Sequence, residues 1–298
     1  MLSPDELVVC DDASSDETTQ ILERFALSAP FPVRILRNER NLGPARNFEQ
    51  AIRLCQGDLI ALCDQDDYWH PNKLQVLSHR MQDTNIGGAF SDAELMDVDS
   101  NPLGIRLSES IKFSLKEQLN WSKGGAASTL LKRNVVTGAT FIFRSQFRSI
   151  FTPTPDYWMH DGWIAWMLVL RSTLAFVPEP LIRYRVHTAQ HCGVPAFAPT
   201  FRTDVRKAKS TGPNEYESIA RIYTALQQYL EASASREHRE FAQVVKSRVQ
   251  HCRFRANLDR NAIKRVCKIL SRYREYGHHA EGLRSMIKDC FWGYSISR

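Results

Sequence analysis

From residue 6 to 92, short apolar runs alternate with amphipathic stretches. "ELVVC" (6–10) is a continuous run of buried-strand length, and it ends in Asp11 and Asp12. "SSDETTQILERFA" puts Ile21, Leu22 and Phe25 on one face of a helix that Ser14 or Ser15 can cap and whose first turn suits Asp16 and Glu17. "VRIL" (33–36) reads as a second strand. Gly43 and Pro44 open the next helix, with Pro44 at its first position and Phe48, Ala51, Ile52 and Cys55 facing inward. Gly57 closes that helix. "DLIALC" (58–63) is a third strand, and it runs into Asp64, Gln65, Asp66 and Asp67. Pro71 opens another helix, and "GGAFSD" (87–92) is a fourth strand.

Beyond residue 100 the pattern weakens. "TGATFIFR" (137–144) reads as a strand, "HDGWIAWMLV" as a helix entered at Asp161, and "AFVPEPLIRYRVH" as a short strand with a proline break. Past "HTAQHCGV" come long polar helices, with Tyr216, Ile219, Tyr223, Leu226 and Leu230 at helical spacing. Val245, Val249, Cys252, Ile263, Val266 and Leu270 recur less regularly. Strands alternating with helices predict an α/β fold with a mostly parallel sheet flanked by helices. Ligands of such sheets gather at the carboxyl ends of the strands. Asp11, Asp12, Asp64, Asp66 and Asp67 all fall on that rim.

The 298 residues allow one large domain or a domain with an appendage, and 43% hydrophobic with 24% charged residues is ordinary for a soluble protein. The longest apolar run, Trp163 to Leu170, falls far short of the roughly 20 residues that span a bilayer. The start "MLSPDELVV" lacks the pattern of a signal peptide. Seven scattered cysteines without a CxxC pair predict reduced thiols in the cytoplasm. Charge is uneven: residues 194–298 carry 20 Lys/Arg against 10 Asp/Glu, whereas the preceding part carries 19 against 23. We therefore divide the chain into residues 1–193 and a basic, mostly helical extension, 194–298. That extension suits peripheral contact with an anionic membrane, or a solvated helical appendage. Interspersed acids and the absence of a known module argue against nucleic acid.

Three carboxylates within four residues need a cation or a catalytic use, unless they form an acidic turn capping the next helix. An EF-hand loop fails, because its sixth position is not glycine and its twelfth is Gln75. A haloacid-dehalogenase-type phosphatase fails because Tyr68 stands where Thr or Val is required. There remains a divalent cation, Mg²⁺ or Mn²⁺, held by one or two carboxylates and completed by substrate phosphate oxygens.

From about residue 3 to 193 the chain resembles the family 2 glycosyltransferases, which have the GT-A fold. The resemblance lies in "LVVCDDASSDET", "NERNLGPARNFEQAI", "CDQDDYWHPNKL", "VVTGATFIFR", "YWMHDGWIAW" and "YRVHTAQHCG", in that order. The H-D-x-W and Y-R-x-H details are closest to bacterial rhamnosyltransferase-like members. The resemblance implies an inverting, metal-dependent transferase of surface-polysaccharide assembly. Its donor would be a dTDP- or UDP-sugar, with rhamnose a candidate, and its acceptor a glycan or lipid-linked saccharide. Work on such an acceptor would place the protein in the cytoplasm or at the inner face of the cytoplasmic membrane.

The residue roles follow from the same resemblance. Asp161 is the general base. Asp11, Asp12, Asn41, Gly43, Asn47, Asp64 and His187 contact the nucleotide sugar, with Asp12 accepting the N3–H of uracil or thymine. Asp64, Asp66 and Asp67 serve the metal. Asp12 also suits a turn, and Asp161 a helix cap; His160 is a second candidate for the base or a diphosphate ligand. His191 reads as a loop residue, and Trp158 and Trp163 as core or sugar-stacking aromatics. Family members normally carry a strand and a helix ahead of "ELVV", whereas Met1 stands almost directly before it. The resemblance therefore implies a catalytic domain without its first strand and helix. The rival expectation is an inactive remnant that acts at most as a binding protein.

Overall fold

The computed structural model describes residues 2–187, 213–259 and 261–291. The chain forms two compact units, one of residues 1–127 and 135–198, the other of 128–134 and 199–298.

In the first unit, β1 (Leu7–Asp11) and β2 (Val33–Arg37) pair in parallel, joined by α1 (Thr18–Ser28). Parallel neighbours need such a crossover, as the alternating pattern predicts. This two-stranded sheet offers α1 little to cover, so Ile21 and Phe25 of its expected apolar face remain 53% and 43% exposed. Helix α2 (Pro44–Leu54) begins at Gly43, whose φ of 79° suits a residue without a Cβ. It buries Ile52 and Glu49, the latter held by Arg46, Arg53 and the N–H of Thr154.

A second, six-stranded sheet contains β3 (Leu59–Ala61), β4 (Tyr68–Trp69), β5 (Ile86–Met96), β6 (Pro102–Arg106), β7 (Phe141–Arg144) and β8 (Thr173–Arg185). Helix α3 (Lys73–Arg80) follows β4. The α/β class is as expected, but the pairing is mixed: β5 runs parallel to β8 and antiparallel to β6 and β7, and β3 and β4 pair antiparallel to β7 and β8. The tight connection from β5 to β6, closed by Asp97 and Asn101, can join only antiparallel strands. The prolines expected to break the last strand do not end it. The register shifts between Ser91, opposite Val177, and Asp92, opposite Pro180, so the ladder passes over Pro178 and Glu179 at an irregularity and then resumes.

Between β6 and β7 lie α4 (Leu107–Ser110), α5 (Leu115–Asn120) and α6 (Ala126–Leu130); α7 (Arg148–Phe151) and α8 (His160–Val169) follow β7. Leu77, Met81, Ile86, Ala89, Ile142, Ala175, Val177 and Leu181 form a core around β5. A second cluster joins Ala93, Leu95, Leu107, Ala139, Ile182 and Tyr184. Trp158 and Trp163 are buried and pack on each other, the core option of the two left open by the sequence.

The second unit contains α9 (Pro213–Glu231), α10 (Arg236–Ala256), α11 (Ala262–Ser271), α12 (Tyr273–His279) and α13 (Leu283–Phe291). Its buried ion pair, Arg255 with Asp289, is completed by hydroxyl donors from Tyr216 and Tyr276, as a desolvated pair requires. Among the described residues no helix is long and apolar enough to cross a membrane.

Candidate active site

The expected residues gather in two networks. The first closes the carboxyl end of β1. Asp12 Oδ1 accepts the N–H of Leu42 and the side-chain amide of Asn38, each at 2.8 Å, and its Oδ2 accepts the N–H of Gly43 at 2.9 Å. Asn41 Oδ1 accepts the same Gly43 N–H at 3.0 Å. Asn47, from the first turn of α2, donates to the carbonyl of Cys10 at 2.7 Å and accepts from Asn38 at 2.9 Å. Asp12, Asn41, Gly43 and Asn47 therefore share one rim. Asp11 is committed to the β1–α1 turn: it is 4% exposed, accepts the N–H of Ser14 and the hydroxyl of Thr19, and lies 3.6 Å from Arg37.

The second network surrounds Asp64, Asp66 and Asp67 in the turn between β3 and β4. Asp66 Oδ2 lies 3.0 Å from Nε2 of His187, just past the end of β8. Asp67 Oδ1 accepts the N–H of Arg185 at 2.8 Å, while its Oδ2 is buried with no hydrogen-bond partner among the described residues. The Arg185 guanidinium bonds the carbonyls of Asp66, Asp97 and Val98 and the hydroxyl of Ser100, tying the acidic turn to the β5–β6 turn. Burial, followed by the neighbouring carboxylates of Asp161 and Asp66, pushes Asp64 up to about 6. Burial also pushes Asp67 up to about 7, against the Arg185 N–H.

Asp161 lies in the first turn of α8. Its Oδ2 accepts the N–H of Gly138 at 3.2 Å and its Oδ1 that of Gly162. Burial raises its pKa to about 6, and those two N–H groups act the other way. A Cβ on Gly138 would stand 3.1 Å from Nε2 of His160 and 3.7 Å from the Cβ of Asp161, so glycine allows the turn to approach α8 closely. His160 stacks on Phe48 of α2, with ring centroids 4.0 Å apart, and both its nitrogens are buried without a partner among the described residues. Burial lowers its pKa to about 3, so the ring is neutral and turned inward. Of the two candidate bases, His160 is buried and Asp161 half-buried. His191 lies outside the described residues.

Three further residues complete this centre. Lys73, fully buried in α3, donates from Nζ to the carbonyl of Ala139 at 2.6 Å and lies over the Trp69 ring at 3.4 Å. Burial draws its ammonium down to about 7, against the pull of Cys63, Asp67 and Asp64. Tyr184, 6% exposed, packs its ring in the core, while Asp64, Asp67, Asp66 and Asp161 add to the burial that raises its phenol. No hydrogen bond joins its hydroxyl to the described residues. Arg185 is the third. All three stand inside segments already singled out, "NKL" and "YRVH". Hydropathy does not mark them, because their role depends on β8 reaching the acidic turn.

Among the described residues no three His, Cys, Asp or Glu side chains converge as a ready metal cage. A cation of the Mg²⁺ type is suited by fewer: it keeps one or two carboxylates and takes its remaining oxygens from water and substrate phosphate. Asp64, Asp66 and Asp67 carry that donor type, with one Asp66 oxygen shared with His187 and one Asp67 oxygen taken by the Arg185 N–H.

The profile of Glycosyl transferase family 2 matches residues 2–151. A glucosyltransferase of Escherichia coli, WfgD, named for transfer from UDP-Glc to α-D-GlcNAc-diphosphoundecaprenol, is 29% identical over 46% of this chain and 53% of its own length. An uncharacterized Mycobacterium tuberculosis protein is 28% identical over 62% of this chain and 51% of its own. The chain thus spans about half the length of such curated relatives. S. aureus TarS in complex with UDP-GlcNAc superposes with a TM-score of 0.54 at 15% identity, over 91% of this chain and 72% of that one. A Pyrobaculum calidifontis mannosyltransferase, solved with GDP-Man and Mn²⁺, gives 0.53 at 12% identity, over 90% and 65%. At these identities the two structures establish the GT-A fold alone.

Proposed function

The chain belongs to glycosyltransferase family 2, and within that family we propose that it is an inverting transferase that moves a sugar from a dTDP- or UDP-sugar to a glycan or lipid-linked saccharide. The sugar is a hexose, with rhamnose the first candidate, and the setting is polysaccharide assembly at the inner face of the cytoplasmic membrane. The observation that carries the reading is the proximity of Asp161 to the acidic turn, close enough for its charge to raise the Asp64 carboxyl.

The nucleoside lies on the first network, where Asp12 Oδ2 keeps a lone pair for the N3–H of uracil or thymine, a donor that cytosine lacks. Asn41, Gly43 and Asn47 shape that rim, and Asp11 fixes the turn beneath it. Asp64 meets the ribose, and His187 the diphosphate. Asp64 and Asp66 would hold a Mg²⁺ or Mn²⁺ ion, with Asp67 as helper; when bound, the ion stabilises the charge gathering on the leaving diphosphate. Asp161 takes the proton of an acceptor hydroxyl as that oxygen bonds to the anomeric carbon. The bond from that carbon to the diphosphate breaks on the opposite face, and the nucleoside diphosphate leaves. One displacement inverts the anomeric centre and needs no enzyme-bound sugar.

The basic C-terminal segment supports a further part of this reading, contact with the anionic leaflet where lipid-linked acceptors lie. A screen of dTDP-, UDP- and GDP-sugars with Mg²⁺ or Mn²⁺, read as nucleoside diphosphate release, tests the whole. Metal-dependent release from a dTDP- or UDP-sugar is expected, and no release from any donor would overturn the reading.

A further inference from the structure

Helix α11 shows water a face that its sequence does not suit. Asn261 caps it, accepting the N–H groups of Ile263 and Lys264. One side is anchored: Ile269 is fully buried, and the Arg265 guanidinium bonds the carbonyl of Cys290. On the other side, Ile263 is 76% and Leu270 57% exposed, and Cys267 between them is exposed too. Positions 263, 267 and 270 follow each other by four and three residues, so they form one stripe along the helix. Isolated exposed apolar residues are normal, but an aligned apolar stripe along one helix is not.

The next quadrant of the helix carries exposed Lys264 and Lys268. Lys268 is half in water, and its pairing with half-buried Asp259 at 3.5 Å is of little weight. Exposed Tyr273 opens the following helix. Over residues 261–291 there are seven Lys/Arg and three Asp/Glu. An apolar stripe flanked by lysines is the pattern of a helix that lies in the plane of a bilayer interface, apolar side among the acyl chains and ammonium groups at the phosphates. A second copy of the chain would meet the same lysines and be repelled. Single-stranded nucleic acid would require a groove of stacking aromatics, and α11 itself carries none.

We propose that this face of α11, led by Ile263, Cys267 and Leu270 and flanked by Lys264 and Lys268, docks on an anionic lipid surface. The inference rests on the peripheral-contact part of the proposed function and names the surface that makes the contact.

The test is co-sedimentation of the full chain with vesicles of phosphatidylcholine alone and of phosphatidylcholine mixed with phosphatidylglycerol. Binding to the mixed vesicles only is expected, weakening as salt rises. Ile263→Asp and Leu270→Asp should each lower the partition coefficient at least tenfold. Lys264→Glu with Lys268→Glu should lower it by about fivefold or more per lysine. Val244→Asp, at a 42% exposed site on α10, should leave it unchanged. All these positions are exposed, and circular dichroism of each variant is the control for folding. Wild-type protein that ignores anionic vesicles would overturn the peripheral reading and this inference together. Wild-type binding that survives all four α11 changes would overturn this inference alone. So would equal binding to neutral vesicles, or a dimer in light scattering that Ile263→Asp abolishes.

Discussion

Lys73 Nζ donates to the carbonyl of Ala139 at 2.6 Å, and through that bond the acidic segment fixes the turn beside the proposed base. The N–H of Gly138, the residue before Ala139 in that turn, is one that Asp161 accepts. Lys73→Met keeps the bulk and removes the donor, leaving a buried carbonyl without a partner, which costs about 1–3 kcal/mol. Urea denaturation should show that loss. Glycosyl transfer should fall further than nucleoside diphosphate binding, because the base shifts and the first network does not. An unchanged ratio of the two would contradict the link.

In the proposed role of base Asp161 would act only when ionised, and its pKa is raised to about 6 by burial. The group is protonated below that pH. The single-turnover rate constant should be flat at neutral pH and fall about tenfold per pH unit well below 6. An acidic limb at the ordinary carboxylate value would mean that another group is being read.

Tyr184→Phe keeps the ring in the cluster of Ala93, Leu95 and Ile182 and removes a hydroxyl near enough to the acidic centre for its carboxylates to raise the phenol pKa. We expect donor turnover (kcat/KM) to fall by roughly threefold to tenfold, the worth of one neutral hydrogen bond. The melting temperature should stay within about a degree of wild type. Equal turnover would reduce Tyr184 to a packing residue.

Glu49 tests the scaffold. Burial opposes its charge, but the Thr154 N–H, Arg53 and Arg46 outweigh it and hold the carboxyl below its ordinary value. Its contribution is thus complete above the unfolded carboxylate pKa of about 4.3 and is lost as pH falls through the lower folded value. Glu49→Gln should cost about 1.5–3 kcal/mol at pH 7, the range for charged hydrogen bonds. The gap from wild type should narrow below about pH 4, where the unfolded chain is protonated. A gap independent of pH would point to shape and not charge.

Most elements before residue 92 were legible because apolar runs and helix signals there are local: Pro44 does start a helix, and β1 does end at Asp11, though the short β4 was not foreseen and the helix expected at Pro71 begins at Lys73. The mixed pairing was not, since strand direction depends on which distant segment arrives beside β5. The tyrosine, lysine and arginine of the acidic centre were hidden for the same reason. Arg185 meets Asp66 across more than a hundred residues of chain, and no spacing rule connects them. The carboxylates themselves were visible, because charge at the end of an apolar run needs an explanation. Their division of labour was not: Asp67 and Asp66 are adjacent, yet one faces the Arg185 N–H and the other His187.

The proposed mechanism depends most on one carboxylate, and Asp161→Asn removes its basicity while keeping its shape and its bond from Gly138. The most direct measurement is transfer by that variant, with the donor the screen identifies, beside its affinity for the matching nucleoside diphosphate. Removing a general base should lower transfer by about 10²–10⁴-fold, with nucleoside diphosphate affinity unchanged within a factor of about two. Transfer at the wild-type rate would contradict the assignment of Asp161 and, with it, the mechanism.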